Sequence, residues 1–227
     1  MKPSRDTGWT FSPVAGNVVN PATVATLPER KRAIWKLDLN AETASLEEAV
    51  AGLERWSAPF APMIGCFGVA PSLNQAISTA TSGPYGGNMD CRLFGPGAIA
   101  RFPVSAPGAL FYLGDCHAAQ GDGEIVGNGI ETSFEVEFTV RVLKGRKIGW
   151  PRGENADYIF TVGNARPLDQ ALQHATSEML DWLRDDFALE LAAASHVLGQ
   201  CVRYDIANVF NPAYSVVCRL SKRTLPS

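Results

Sequence analysis

The sequence predicts an α+β fold rich in β structure, an antiparallel β-sandwich or distorted barrel with a late helical pair (about 167–199) packed against it. Three observations lead there. Between 133 and 143, "SFEVEFTVRVL" sets Phe134, Val136, Phe138, Val140 and Val142 on one face and Glu135, Glu137, Thr139 and Arg141 on the other. That is the period of a half-buried antiparallel strand. At Pro167 the period changes: Leu168, Leu172, Ala175, Met179, Trp182 and Leu183 share a helical stripe, and proline suits a first turn. "AYSVVCRL" (213–220) then alternates again, with Tyr214, Val216, Cys218 and Leu220 on one side. Strands, late helices and a returning strand make an α+β domain.

The remaining elements follow in order. Residues 1–30, rich in Pro, Thr, Asn and Val without a period, read as loop or edge strand. "AIWKLDLN" (33–40) reads as a strand. Asn40 to Trp56 reads as a helix, with a Ser45…Glu48 capping box and Leu46, Val50 and Leu53 on one stripe. "APFAPMIGCFGVAP" (58–71) is a buried extended segment, and "TATSGPYGGNMDC" (79–91), broken by Gly83, Pro84, Gly86 and Gly87, reads only as loop. "IARFPV", "GALFYLGD" and "YIFTVG" are short strands. Asp185-Asp186 precede a second helical run through Gly199. We divide the chain into an N-terminal segment, 1–57, and a β-rich domain, 58–227.

With 227 residues, 46% hydrophobic and 19% charged, the chain is long enough to bury a sizeable core. Its formal net charge is −3 without a basic block, so neither nucleic acid nor an anionic membrane is an expected partner. Apolar runs fall far short of the ~20 residues of a membrane span. The first residues contain no apolar run of a secretory signal, and a cytoplasmic location is expected. Five cysteines form no C-x-x-C pair and are odd in number, which fits reduced thiols rather than a disulfide framework.

Chemistry concentrates in "GALFYLGDCHAAQGDGEIVGNGIE" (108–131). Asp115 and His117, at i and i+2, leave the same face of an extended strand. A carboxylate and an imidazole suit zinc or a similar divalent ion. An ideal two-residue turn at Asp122-Gly123 pairs His117 with Asn128 and leaves Glu124 roughly 13 Å along the strand. A shared site therefore requires residues 118–123 to form a wider loop; the bland alternative is a polar hairpin tip with one satisfied His. In "GPYGGNMD" (83–90), glycines flank Asn88 and Asp90 and let backbone amides approach a ligand closely; a plain Gly-rich turn is the competing reading. "GPGAIA" (95–100) mimics a dinucleotide fingerprint, but Pro103 forbids the helix it needs. Cys116 and His117 are adjacent on a strand and point apart, against a Cys–His nucleophile. His174 and His196 fall on helices as surface or capping residues.

Taken together, "PMIGCFGVAP", "GPYGGNMD", "PGALFYLGDCHAAQGDGE" and "GIE", in that order, resemble the acetamidase/formamidase family. The likeness spans roughly 58–145 and continues more weakly through "NARPLDQAL". It implies a β-rich, metal-dependent hydrolase that splits short aliphatic amides into carboxylate and ammonia. By resemblance, Asp90, Asp115 and His117 become metal ligands, zinc first, with calcium or another divalent ion as alternatives. Glu124 becomes the general base or acid, Asn88 or the Gly86–Gly87 amides the oxyanion donors, and Gln120 a group orienting water or substrate. Two departures stand out. Family members often carry His just before the double Gly, where this chain has Tyr85. They are also usually longer at the N-terminus, with His- and acid-bearing motifs, whereas residues 1–57 contain no His. A non-catalytic or partner-dependent binding protein with an incomplete metal shell is therefore the alternative. A homo-oligomer, dimer or higher, is expected from the regularity of 133–143.

Overall fold

The computed structural model describes residues 1–226. Its strands are β1 (Lys2–Pro3), β2 (Thr7–Ser12), β3 (Lys31–Asp38), β4 (Thr43–Leu46), β5 (Ala58–Pro59), β6 (Met63–Gly68), β7 (Ser82–Gly83), β8 (Gly86–Asn88), β9 (Ile99–Arg101), β10 (Tyr112–His117), β11 (Phe134–Glu135), β12 (Arg152–Glu154), β13 (Tyr158–Ala165), β14 (Arg203–Asn208) and β15 (Tyr214–Ser221). Three helices join them: the short α1 (Pro21–Val24), then α2 (Leu168–Phe187) and α3 (Leu191–Cys201). The fold is thus mostly antiparallel sheet with two longer helices late in the chain, as the sequence predicts.

The centre is a five-stranded antiparallel sheet in the order β14-β15-β13-β12-β9. β13 is buried from Ile159 to Asn164, because both of its faces are covered. Ile159 turns towards α2 and α3, where Met179, Trp182, Leu183 and Leu198 form one core. Phe160 and Val162 turn the other way, onto Phe67 of the four-stranded sheet β10-β6-β8-β7 and onto Met89 and Phe94, which follow β8. Close approach of α2 requires Gly163, since a Cβ there would lie 2.1 Å from the Ala171 carbonyl oxygen. A third sheet, β2-β3-β4-β5, packs Trp35, Leu37 and Ala44 over Ala118 and Ile130. Ser82 and Ser215 both donate to Asn164 Oδ1 at 2.8 Å, tying the two larger sheets through a satisfied buried network.

Three local expectations are overturned. Residues 40–56 form no helix: Ala44 is fully buried and pairs with Leu37, and Leu46 pairs with Trp35. The demand of β3 for a neighbour outweighs helical propensity, which is a weak prior. Val50 and Leu53, on the supposed buried stripe, stay exposed. Residues 79–91 contain a hairpin, with Ser82 opposite Gly87 and Gly83 opposite Gly86 across Pro84-Tyr85. Gly86 and Gly87 both sit at φ +92, where other residues are strained. Finally, 133–143 is a paired strand only at Phe134–Glu135, against Lys2–Pro3. Beyond it, Phe138, Val140 and Val142 are exposed, since among the described residues no strand is free to complete the ladder.

Candidate active site

Strand β10 carries both Asp115 and His117, and His117 Nε2 lies 3.4 Å from Asp115 Oδ1. After His117 the chain does not turn back at once. His117 bridges to Glu131 rather than Asn128, and 118–130 forms the wider loop that a shared site needs. Within it, Gly123 at φ +82 lets a single 3-10 turn bring Glu124 inward. Asp90 arrives from the end of β8, where Met89 and Asp90 both donate backbone N–H groups to the Gly65 carbonyl at 3.1 Å.

The result is a buried cluster. Asp90 and His117 are inaccessible and Glu124 is buried, while Asp115 opens to solvent at 33% of its side chain. One ligand atom each from Asp90, Asp115 and His117 lies within 4.8 Å of the others. Asp90, Asp115 and Glu124 all hold left-handed backbone, at φ +47, +60 and +49. Such backbone costs roughly 1–2 kcal/mol per residue without glycine, and strain of this kind collects at functional sites.

Hydrogen bonds fix which atoms face inward. Gln120 donates from Nε2 to the Asp90 carbonyl at 2.7 Å, so its Oε1 faces His117 Nδ1 at 2.8 Å and accepts from it. His117 Nδ1 therefore carries hydrogen, and Nε2 is the atom offered to the cluster. Nε2 also lies 3.0 Å from Glu131 Oε1, yet it makes no aligned hydrogen bond among the described residues, and neither does Asp90 Oδ1. Both are buried. Burial alone would lower the His117 pKa, but Asp115 and Glu131 outweigh it and push it up to about 11. Burial pushes both carboxyls above their ordinary range, reinforced by the charge of Asp115 at Asp90 and by that of Asp90 at Glu124.

Asp90, Asp115 and His117 are a group that could hold a metal ion. Two orphaned buried ligand atoms, hard carboxylate oxygens and an imidazole nitrogen suit a divalent ion. Glycine at 65 lets the two carboxylates come close: a Cβ there would lie 2.5 Å from Asp90 Oδ1 and 2.8 Å from Asp115 Oδ2. Asp115 and Asn88 also line an open cleft of about 470 Å³ with Cys66, Tyr112 and Leu113. Gly86 and Gly87 instead pair within the sheet, with Gly68 and Phe67. Tyr85 is outside the cluster, its hydroxyl buried without a partner among the described residues.

Three site residues escape sequence reading. Glu131 is the last letter of "GIE" and carried no weight of its own. Asn208 and Asn211, in "NVFN", contact the two most deeply placed carboxyls: Asn208 donates to Asp90 at 2.9 Å and to Glu124 at 2.5 Å, and Asn211 to Asp90 at 2.7 Å. Nothing in that tetrapeptide distinguishes it from an ordinary loop.

Comparison with known proteins places this arrangement. Residues 73–173 match the model of the acetamidase/formamidase family. An acetamidase of Mycolicibacterium smegmatis is 30% identical over 171 residues, covering 72% of this chain and 39% of that protein; the match thus spans about two-fifths of that curated relative. The crystal structure of an acetamidase from Yersinia enterocolitica superposes with a TM-score of 0.82 at 32% identity, over 99% of this chain and 67% of that one. For an acetamidase from Bacillus halodurans the TM-score is 0.82 at 28% identity, over 96% and 70%. Sequence and fold agree, and the chain belongs to the acetamidase/formamidase family.

Proposed function

We propose that the chain hydrolyses the C–N bond of short linear amides, of the formamide or acetamide type, to carboxylate and ammonia, with a divalent ion at Asp90, Asp115 and His117. Zinc fits the imidazole and two oxygens best; calcium or another divalent ion is the alternative. The observation that carries the reading is the convergence of Asp90 Oδ1 and His117 Nε2, both buried and unpartnered among the described residues, beside Asp115 at the floor of an open cleft.

An unactivated amide is a poor electrophile and water a poor nucleophile. A bound divalent ion supplies Lewis acidity towards the carbonyl and lowers the pKa of water from ~15.7 towards ~7. The chain supplies the rest. Glu124, held beside Asp90, takes a proton from water and returns it to the departing nitrogen. Asn88, on the cleft wall next to Asp115, offers an amide donor to the developing oxyanion. Gln120 locks the His117 tautomer. Purified protein is expected to contain one equivalent of divalent metal and to release ammonia from formamide or acetamide, and a chelator abolishes the release. Metal-replete protein that releases none from a panel of short amides overturns this activity.

One observation favours a second reading. Residues 1–57 contain no His and Tyr85 replaces a residue that is often His in relatives, so a scaffold or partner-completed binding protein of the same fold is the rival. Purified chain that holds well under one equivalent of metal and releases no ammonia supports it.

We also propose a cytoplasmic homo-oligomer. All five cysteines are free, which suits a reducing compartment. The exposed segment 136–143 is self-complementary: paired antiparallel about Thr139 with a second copy, it sets Phe138 against Val140, Val136 against Val142 and Glu137 against Arg141. Cross-strand pairs of this kind stabilise two-fold interfaces. Light scattering is expected to give a dimer or a multiple of it, and Val140→Asp a monomer. A monomeric wild-type chain at high concentration refutes the assembly.

A further inference from the structure

The C-terminal strands reach into the cluster through two amides whose orientation is fixed. Asn208 is fully buried at the end of β14, where the register against β15 slips between Ile206 and Asn208. Such an irregularity re-aims a side chain, and here it turns Asn208 inward. Its Oδ1 accepts the backbone N–H groups of Phe210 and Asn211, both at 2.8 Å. The oxygen end is therefore spent, and the NH2 end must face the acids. One hydrogen goes to Asp90 Oδ2 at 2.9 Å and the other to Glu124 Oε2 at 2.5 Å. Asn211 adds a second donor to the same Asp90 oxygen at 2.7 Å and spans to the Asn88 carbonyl at 3.2 Å.

A carboxylate oxygen has two lone pairs in its plane. Both of those on Asp90 Oδ2 are occupied, by Asn208 and Asn211, while Oδ1 is buried and has no partner among the described residues. We infer that Asn208 and Asn211 are positioning residues that restrict Asp90 to a single ligand oxygen, Oδ1, and hold Glu124 beside the metal centre rather than in it. This rests on the metal reading above and adds to it a coordination mode and two residues at long range. Hydrogen-bonded carboxylate ligands of this kind typically set metal affinity by about 10–100-fold.

The test is made on the chelator-treated full chain, titrated with Co2+, whose visible d–d bands report coordination number, and with Zn2+ by calorimetry. Asn211→Ala removes the donor, and Asn211→Leu removes it while filling nearly the same volume, so the pair separates a lost hydrogen bond from a cavity. Wild type is expected to bind one ion. Both variants, still folded by thermal melt, are expected to bind one ion about 10–100-fold more weakly, with a weaker, shifted cobalt spectrum as Asp90 becomes free to chelate through both oxygens. If Asn211→Ala does not fold, Asn211→Leu decides the matter. Wild-type spectrum and affinity in the folded variant overturn the inference and leave the metal centre standing. A wild-type chain that binds neither ion removes the metal centre itself, and this inference with it.

Discussion

At the scale of single residues, the site is an arrangement of atoms with few free choices left. Asp90 keeps one carboxylate oxygen without a hydrogen-bond partner among the described residues, and Gln120 sets which nitrogen of His117 faces the cluster. Asp90→Asn keeps the shape and removes the charge, so metal content and ammonia release are both expected to fall to background. The assays are elemental analysis and an ammonia readout on the same sample. Cys116 makes the opposite prediction. Burial raises its thiol pKa, which disfavours the nucleophilic thiolate. Cys116→Ala is expected to leave the rate unchanged; loss of activity with retained metal would transfer the chemistry to sulfur.

Among elements, α2 is fastened to the central sheet by more than its apolar stripe. Thr161 of β13 donates to the Ala175 carbonyl at 2.6 Å. Arg152 of β12 pairs with Glu178 of α2 at 2.5 Å, and their side chains are 4% and 2% exposed. Glu178 also accepts the backbone N–H groups of Gly149 and Trp150. Both oxygens of that carboxylate are hydrogen-bonded, Oε1 by Arg152 and Oε2 by the two backbone N–H groups, which helps make a buried ion pair tolerable. Arg152→Ala strands the charge of Glu178 and is expected to cost about 3–5 kcal/mol, read by urea denaturation. A loss below 1 kcal/mol would show that water or a neighbouring cation replaces the guanidinium.

For the whole molecule, acid stability follows from linkage. Glu154 pairs with Arg101 at 2.8 Å and Lys222 at 3.1 Å, joining β12 to β9 and to the residue after β15. Partial burial raises its pKa, but the two cations outweigh that and hold it below its ordinary 4.5. A carboxyl depressed in the folded state contributes stability above its unfolded pKa and loses it as pH falls through the folded value. Glu154→Gln is therefore expected to lower the melting temperature at pH 7 by about a degree or two and to converge with wild type as pH falls through the lowered folded pKa. Parallel melting curves across that window would remove Glu154 from the acid response.

The same scale separates what was legible from what was not. β13, β15 and the α2–α3 pair follow from their periods because side-chain direction along a strand or helix is set by local chain geometry, and both faces found cores to match. The nearness of Asp115 to His117 has a further source, since Asp115 holds left-handed backbone at φ +60 that no strand period foretells. A period says nothing of whether a neighbour exists, however. Residues 43–46 became a strand because β3 lay alongside, and 136–143 stayed unpaired because nothing did. Asn208 meets Asp90 across 118 positions of sequence and Glu124 across 84, distances over which no local pattern carries information. By itself the sequence determined the family, the main strands and helices, and the acids and imidazole on offer. Only the tertiary structure decided which of their atoms converge, because hydrogen-bond direction and burial are properties of the packed chain.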